Sequence, residues 1–163
     1  MQIKDVMTPN PVTVTVDATV SDVAGLLKKY RIGGLPVMDG ERVSGIVTET
    51  DILSLLDSSD QVDLLWLTSP LDAIEGSAKE KTGNADLDKI KEVLEEIGNT
   101  PVIDVMSQEV VMIEDEASVQ DGAKMMHIED IGRLPVIKDD RLAGIVTRRD
   151  IIRGIGLGGV NTD

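Results

Sequence analysis

Gly45-Ile46-Val47-Thr48-Glu49-Thr50-Asp51 returns 99 residues later as Gly144-Ile145-Val146-Thr147-Arg148-Arg149-Asp150. The overlay extends outward from this stretch without a gap. Asp5-Val6-Met7 falls on Asp104-Val105-Met106, and Val20 and Asp22 fall on Val119 and Asp121. Ile32-Gly33 and Leu35-Pro36-Val37 fall on Ile131-Gly132 and Leu134-Pro135-Val136. Over residues 5–54 the identity is about 40%, far above chance for an ungapped register, so the chain is an internal duplication.

Each copy reads as β-α-β-β-α. Val12, Val14 and Val16 alternate with Thr13 and Thr15, the period of a half-buried strand. Thr19 is placed to cap a helix whose apolar positions are Val20, Val23, Ala24 and Leu27. Gly33-Gly34 is the expected stop. Leu35-Pro36-Val37-Met38 and Val43–Val47 are the next two strands, joined at Asp39-Gly40, a hairpin signal. Thr48 then opens a second helix through Asp51, Ile52 and Leu55. In the second copy Ser118 replaces Thr19, and Lys138-Asp139-Asp140 makes the turn. A three-stranded unit of about 50 residues has too small a core to be comfortable alone. The expectation is therefore a mixed α/β (α+β) fold of tandem repeats, packed on each other about a pseudo-twofold axis. The boundaries read are 1–56 for repeat 1, 57–101 for an acidic inter-repeat segment, 102–155 for repeat 2 and 156–163 for a flexible tail.

The inter-repeat segment carries its own pattern. Residues 55–103 hold half of the net charge of −14. Gly76–Asn84 is polar with two glycines and reads as an exposed loop. Leu87–Ile97 is an amphipathic helix with Leu87, Ile90, Val93, Leu94 and Ile97 on one stripe, ended by Gly98-Asn99 and Pro101. Its plain role is to pack on the flank of the repeats. A partner-binding role is the sharper one, and Val62–Leu67 with Trp66 is a candidate interface anchor or helical extension.

Bulk composition excludes several classes. Such acidity repels nucleic-acid backbones and anionic membranes, and a chain with one Trp, one Tyr and no Phe lacks stacking platforms for single strands. No apolar run reaches membrane-spanning length, and the N-terminus carries no signal core. The absence of Cys suits a reducing cytoplasm. His127 stands alone, so a transition-metal site is not expected. Gly154-Ile155-Gly156-Leu157-Gly158-Gly159 resembles a dinucleotide loop but follows a helix and lacks the strand-turn-helix setting. Asp139-Asp140 is a turn, Met125-Met126 is core, and no nucleophile-base set is present, so no enzyme is expected and no catalytic residue or catalytic cofactor is assigned.

The chemistry lies in the duplicated Thr-x-x-Asp. A strand running into a helix presents N–H groups and the positive dipole end, which favour phosphate. A Thr hydroxyl there can donate to a phosphate oxygen. An Asp one turn on can accept from the two vicinal hydroxyls of a ribose. Gly45 and Gly144 would allow a ligand or strand close to the backbone. The competing reading is a capping box, which would account for either Thr-x-x-Asp taken singly.

Ile-Gly-x-Leu-Pro-Val followed by a turn and Gly-Ile-Val-Thr-x-x-Asp, twice in order, resembles the CBS (cystathionine-β-synthase) domain; two in tandem form a Bateman module. The resemblance spans residues 3–56 and 102–155. It implies a regulatory module that senses metabolite or energy state by binding AMP, ADP, ATP or S-adenosylmethionine in two clefts. It places Asp51 and Asp150 on ribose and Thr48 and Thr147 on phosphate. It sets Thr8 and Val12 beside Asp150, and Ser107 and Val111 beside Asp51. Arg31 matches an occasional basic phosphate ligand, but its counterpart is Asp130. Arg133, Arg148 and Arg149 stand where repeat 1 has Gly34, Glu49 and Thr50, so the Asp150 cleft is expected to be the better polyphosphate site. The resemblance also implies a homodimer and a regulated protein partner. The alternative is a protein-association scaffold with vestigial clefts, working through Trp66 and the helix at 87–97.

Overall fold

In the computed structural model residues 1–57 and 84–158 are described. The fold is mixed α/β. Repeat 1 runs β1 (Thr8–Pro9), β2 (Val14–Thr15), α1 (Val20–Tyr30), β3 (Gly34–Asp39), β4 (Arg42–Thr48) and α2 (Glu49–Asp57). Helix α3 (Asn84–Gly98) follows. Repeat 2 runs β5 (Ile113–Glu114), α4 (Val119–Ile128), β6 (Arg133–Lys138), β7 (Arg141–Thr147) and α5 (Arg148–Gly158). The strands form one sheet in the order β1-β7-β6-β5 and another in the order β2-β3-β4.

Local chemistry explains the ends of these elements. Thr19 accepts from the Asp22 N–H at 3.3 Å, and the Asp22 carboxylate accepts from the Thr19 N–H at 2.9 Å, a complete capping box. The Thr19 backbone N–H, and then its hydroxyl, hold the Asp22 carboxyl below its ordinary range. Helix α1 does not run to the glycines. It ends at Tyr30, because Arg31 turns into the left-handed region at φ 53°, and Asp130 does the same at φ 50°. The β6–β7 turn has Asp139 at φ 50° and Asp140 at φ 61°, the two positive angles that match a hairpin to strand twist. The strand read from Val12 to Val16 is only Val14–Thr15; Val12 lies ahead of it. Ala24, read as apolar face, is exposed.

Backbone packing gathers the chain into two units that are not the two repeats. One comprises Met1–Val16, Leu35–Ile46 and Ser107–Asp163; the other comprises Asp17–Gly34 and Val47–Met106. In the first unit the chain's opening docks on repeat 2. Ile3 donates its N–H to Ala117, Lys4 donates to Asp115, and Thr8 and Pro9 pair antiparallel with Ile145 and Gly144. Ile3 is fully buried among Ile113, Val119, Met126, Leu134, Val136, Val146 and Ile151. In the second unit the corresponding segment serves repeat 1. Val102 donates to Ala18, Val20 donates to Thr100, and Val102 is fully buried.

Two glycines are required by this docking. A Cβ on Gly144 would lie 2.5 Å from Met7 Sδ and 2.9 Å from the Thr8 carbonyl, so what approaches Gly144 closely is strand β1. A Cβ on Gly122, inside α4, would lie 2.8 Å from Ile3 Cδ1. The equivalent positions in repeat 1 are Val23 and Val102, both fully buried, so the copies trade volume between helix and opening segment.

Of the inter-repeat segment, α3 begins at Asn84, three residues before the helix read from the sequence, and ends at Gly98 as expected. Val93 is buried, Ile90 and Ile97 are half-buried, and Leu87 and Leu94 are exposed, so only part of the predicted stripe is covered. Of the loop read over Gly76–Asn84, Asn84 is instead the first residue of α3; residues 76–83 and the anchor read at Val62–Leu67 lie outside the described residues. Helix α5 continues through Gly158, so Gly156, Leu157 and Gly158, read as the start of a flexible tail, are helical. Residues 159–163 lie outside the described residues.

Candidate functional site

Each Thr-x-x-Asp closes on itself. Asp150 Oδ2 accepts from the Thr147 N–H at 2.9 Å and from its hydroxyl at 2.7 Å, and the Asp150 N–H donates back to Thr147 Oγ1 at 3.3 Å. Asp51 Oδ2 accepts from the Thr48 N–H at 2.8 Å and its hydroxyl at 2.9 Å, with the return bond at 3.3 Å. Both boxes are therefore caps, and each hydroxyl spends its proton on the carboxylate. The boxes consume Oδ2 and leave Oδ1. Asp150 is only 12% exposed at its side chain, and its Oδ1 lies 4.0 Å from Arg153 Nη1. A partly buried carboxylate with one oxygen outside its cap can accept from a diol without giving up that cap.

The helix entrance is also largely spoken for. Arg148 donates its backbone N–H to Gly132 at 3.1 Å, and Asp150 donates to Thr147; Glu49 and Asp51 repeat the pattern with Gly33 and Thr48. Among the described residues the N–H groups of Arg149 and Thr50 have no protein acceptor, which leaves one helix-opening donor per repeat for an anion.

The other predicted residues are placed as follows. Arg133 opens β6 directly opposite Thr147 on β7, so the two side chains share a face. Thr8 pairs with Ile145, two residues before Thr147. Val12 is half-buried ahead of β2. Ser107 exchanges two backbone bonds with Ile46, at 2.9 and 3.1 Å, and Val111 is half-buried ahead of β5. Arg31 is exposed at its left-handed position, and Arg149 is exposed in the first turn of α5. Arg148 is turned aside. Its Nε donates to the Ile131 carbonyl at 3.2 Å, and its Nη2 lies 3.4 Å from Asp130 Oδ1.

Sequence reasoning did not assign Arg153 to the site. The signal was there, since Asp150 and Arg153 are i and i+3 on one helix. Two grooves bounded by described residues lie away from both boxes. One of about 360 Å³ is lined by Glu41, Arg42, Met112 and Asp140, and one of about 490 Å³ by Ser21, Leu94, Glu95 and Gly98. Among the described residues no three metal-ligating side chains converge.

Two β-α-β-β-α repeats, each with a Thr-x-x-Asp box at the mouth of its last helix, define a tandem CBS pair. The CBS domain family matches residues 3–58 and 102–156, and the chain belongs to that family. Protein MJ1426 of Methanocaldococcus jannaschii is 38% identical over 161 residues, which cover 95% of this chain and 91% of that protein. The CBS domain pair of protein MJ0100, solved in complex with 5′-methylthioadenosine and S-adenosyl-L-methionine, aligns with a TM-score of 0.69 at 22% identity, over 97% of this chain and 98% of that one. CBSX2, solved in complex with AMP, aligns with a TM-score of 0.65 at 24% identity, over 96% of each chain. At those identities the two structures speak for the fold.

Proposed function

We propose that this chain is a non-catalytic regulatory module that takes an adenosyl ligand at the Thr147–Asp150 box, and again at Thr48–Asp51. One observation carries the reading: a partly buried carboxylate keeps one oxygen outside its cap, at a helix entrance that also keeps one N–H. Asp150 Oδ1 would accept from the ribose diol, and the Arg149 N–H with Arg133 would meet the phosphate or other 5′ substituent. The adenosyl complexes of MJ0100 and CBSX2, on the same fold, support the ligand class. Occupancy would favour one packing of the repeats, and a protein partner would read that difference. A cytoplasmic setting suits a chain without Cys, and no described helix is long and apolar enough to cross a membrane.

AMP, ATP and S-adenosylmethionine, each titrated to millimolar concentration, should raise the melting temperature for at least one of them. At 100 times its Kd a ligand adds about 2.7 kcal/mol, a shift of roughly 5–10 °C for a chain of this size. Absence of any shift would overturn the reading.

A second copy of the chain as partner draws support from one repeated feature. Leu53 on α2 is 61% exposed, and Ile152, the same position on α5, is 69% exposed. We take these aliphatic helix faces as the contact for a second copy of the chain. Light scattering should give twice the chain mass, and Ile152→Glu should shift it toward the monomer with the fold retained.

A further inference from the structure

The two repeats carry opposite charges at one pair of equivalent positions, with the polarity exchanged. Repeat 2 has Asp130 at the left-handed residue after its first helix and Arg148 as the first residue of its last helix; repeat 1 has Arg31 and Glu49 at those places. In repeat 2 the two are joined, Arg148 Nη2 to Asp130 Oδ1 at 3.4 Å, and the Ile131 carbonyl fixes the guanidinium through Nε at 3.2 Å. In repeat 1 no ion pair joins Arg31 to Glu49. Arg148 stands at the positive end of α5, where a phosphate would otherwise recruit it. As the structure stands, that cation is held by a carboxylate and a carbonyl of its own repeat.

We infer that Asp130 sets the charge of the ligand accepted at the Thr147–Asp150 box, by holding Arg148 away from the ligand's 5′ substituent. The inference rests on the adenosyl reading of that box. It lowers the positive charge that a count of arginines suggests for that box. The Thr147–Asp150 box takes an adenosyl ligand whose tail is uncharged or carries few negative charges. A polyphosphate at the Thr147–Asp150 box must compete with a carboxylate for Arg148, whereas a nucleoside has no such competition.

The test is calorimetric titration of the full chain with adenosine and with ATP, in an Asp51→Ala background so that one box is read. Asp130→Asn removes the charge, and Asn tolerates the left-handed backbone that Ala would strain. Asp130 is almost fully exposed, so the fold is preserved. Asp130→Asn should tighten ATP binding about fivefold and leave adenosine within about twofold. With Arg148→Ala also present, the gain for ATP should disappear. An unchanged ATP-to-adenosine ratio overturns the inference, as does a gain that persists without Arg148. If neither compound binds the Asp51→Ala chain, the adenosyl reading of the box itself falls, which is a different result from a box that binds both without discrimination.

Discussion

Asp150→Ala is expected to lower stability and ligand affinity together, and Asp150→Asn to separate the two losses. The alanine removes an acceptor of two bonds from Thr147, at 2.9 and 2.7 Å. Loss of such a cap costs about 1 kcal/mol. It also removes the charged acceptor for a ribose diol, worth about 1.5–3 kcal/mol, or roughly a 10- to 100-fold weaker Kd. Asparagine can keep its carbonyl oxygen on the Thr147 N–H, which holds the cap. It then turns an amide toward the ligand, a donor facing donors. Thermal unfolding and calorimetric titration should therefore show Asp150→Asn close to the unaltered chain in stability and close to Asp150→Ala in affinity. Wild-type affinity in Asp150→Asn would mean that the carboxylate only caps the helix.

The second large effect is expected far from the box. Ile3→Ala should cost about 3 kcal/mol, because a fully buried aliphatic side chain is cut back to Cβ in a core that closes only partly over the hole. Gly122 gives an independent check. Val in its place alone should destabilise by about 2 kcal/mol, since even a Cβ there meets Ile3 Cδ1 at 2.8 Å. In the Ile3→Ala chain the same Val fills the vacated space, as Val23 does opposite the smaller Val102 side of the duplication. The double variant should be more stable than Ile3→Ala by about 1 kcal/mol, read as a higher denaturant midpoint at unchanged slope. Additive losses would show that Ile3 and Gly122 do not share one space.

What was legible in the sequence was local. The Thr19 cap, the order of strands and helices, the hairpin at Asp139-Asp140 and both Thr-x-x-Asp boxes depend on residues a few positions apart, and local chemistry decides them. What sequence alone left open or misplaced shares a cause. Gly33-Gly34 reads as a helix stop, but Arg31 and Asp130 take the left-handed conformation earlier at the cost a non-glycine bears there. Gly144 reads as room for a ligand or a strand, and only pairing with residues some 135 positions away shows that it is a strand. The three arginines of repeat 2 read as a phosphate nest, yet Arg148 is tied to a carboxylate 18 residues back, across a helix-strand connection that spacing does not reveal. Composition counts charges; only geometry says which are already matched.

The exchange of opening segments bears on how the chain is made. Residues 1–9 are translated more than 100 residues before Ala117, Asp115 and Ile145, which receive them. At ordinary elongation rates that interval is on the order of 5–20 s. During it Ile3 has no pocket to enter. The unit built from residues 17–34 and 47–106 can assemble earlier, because its own borrowed segment at Val102 arrives with its last residues. A gene cut between the repeats would leave each half with the other's opening segment, so expression of single repeats should give chains that regain order only when both are mixed.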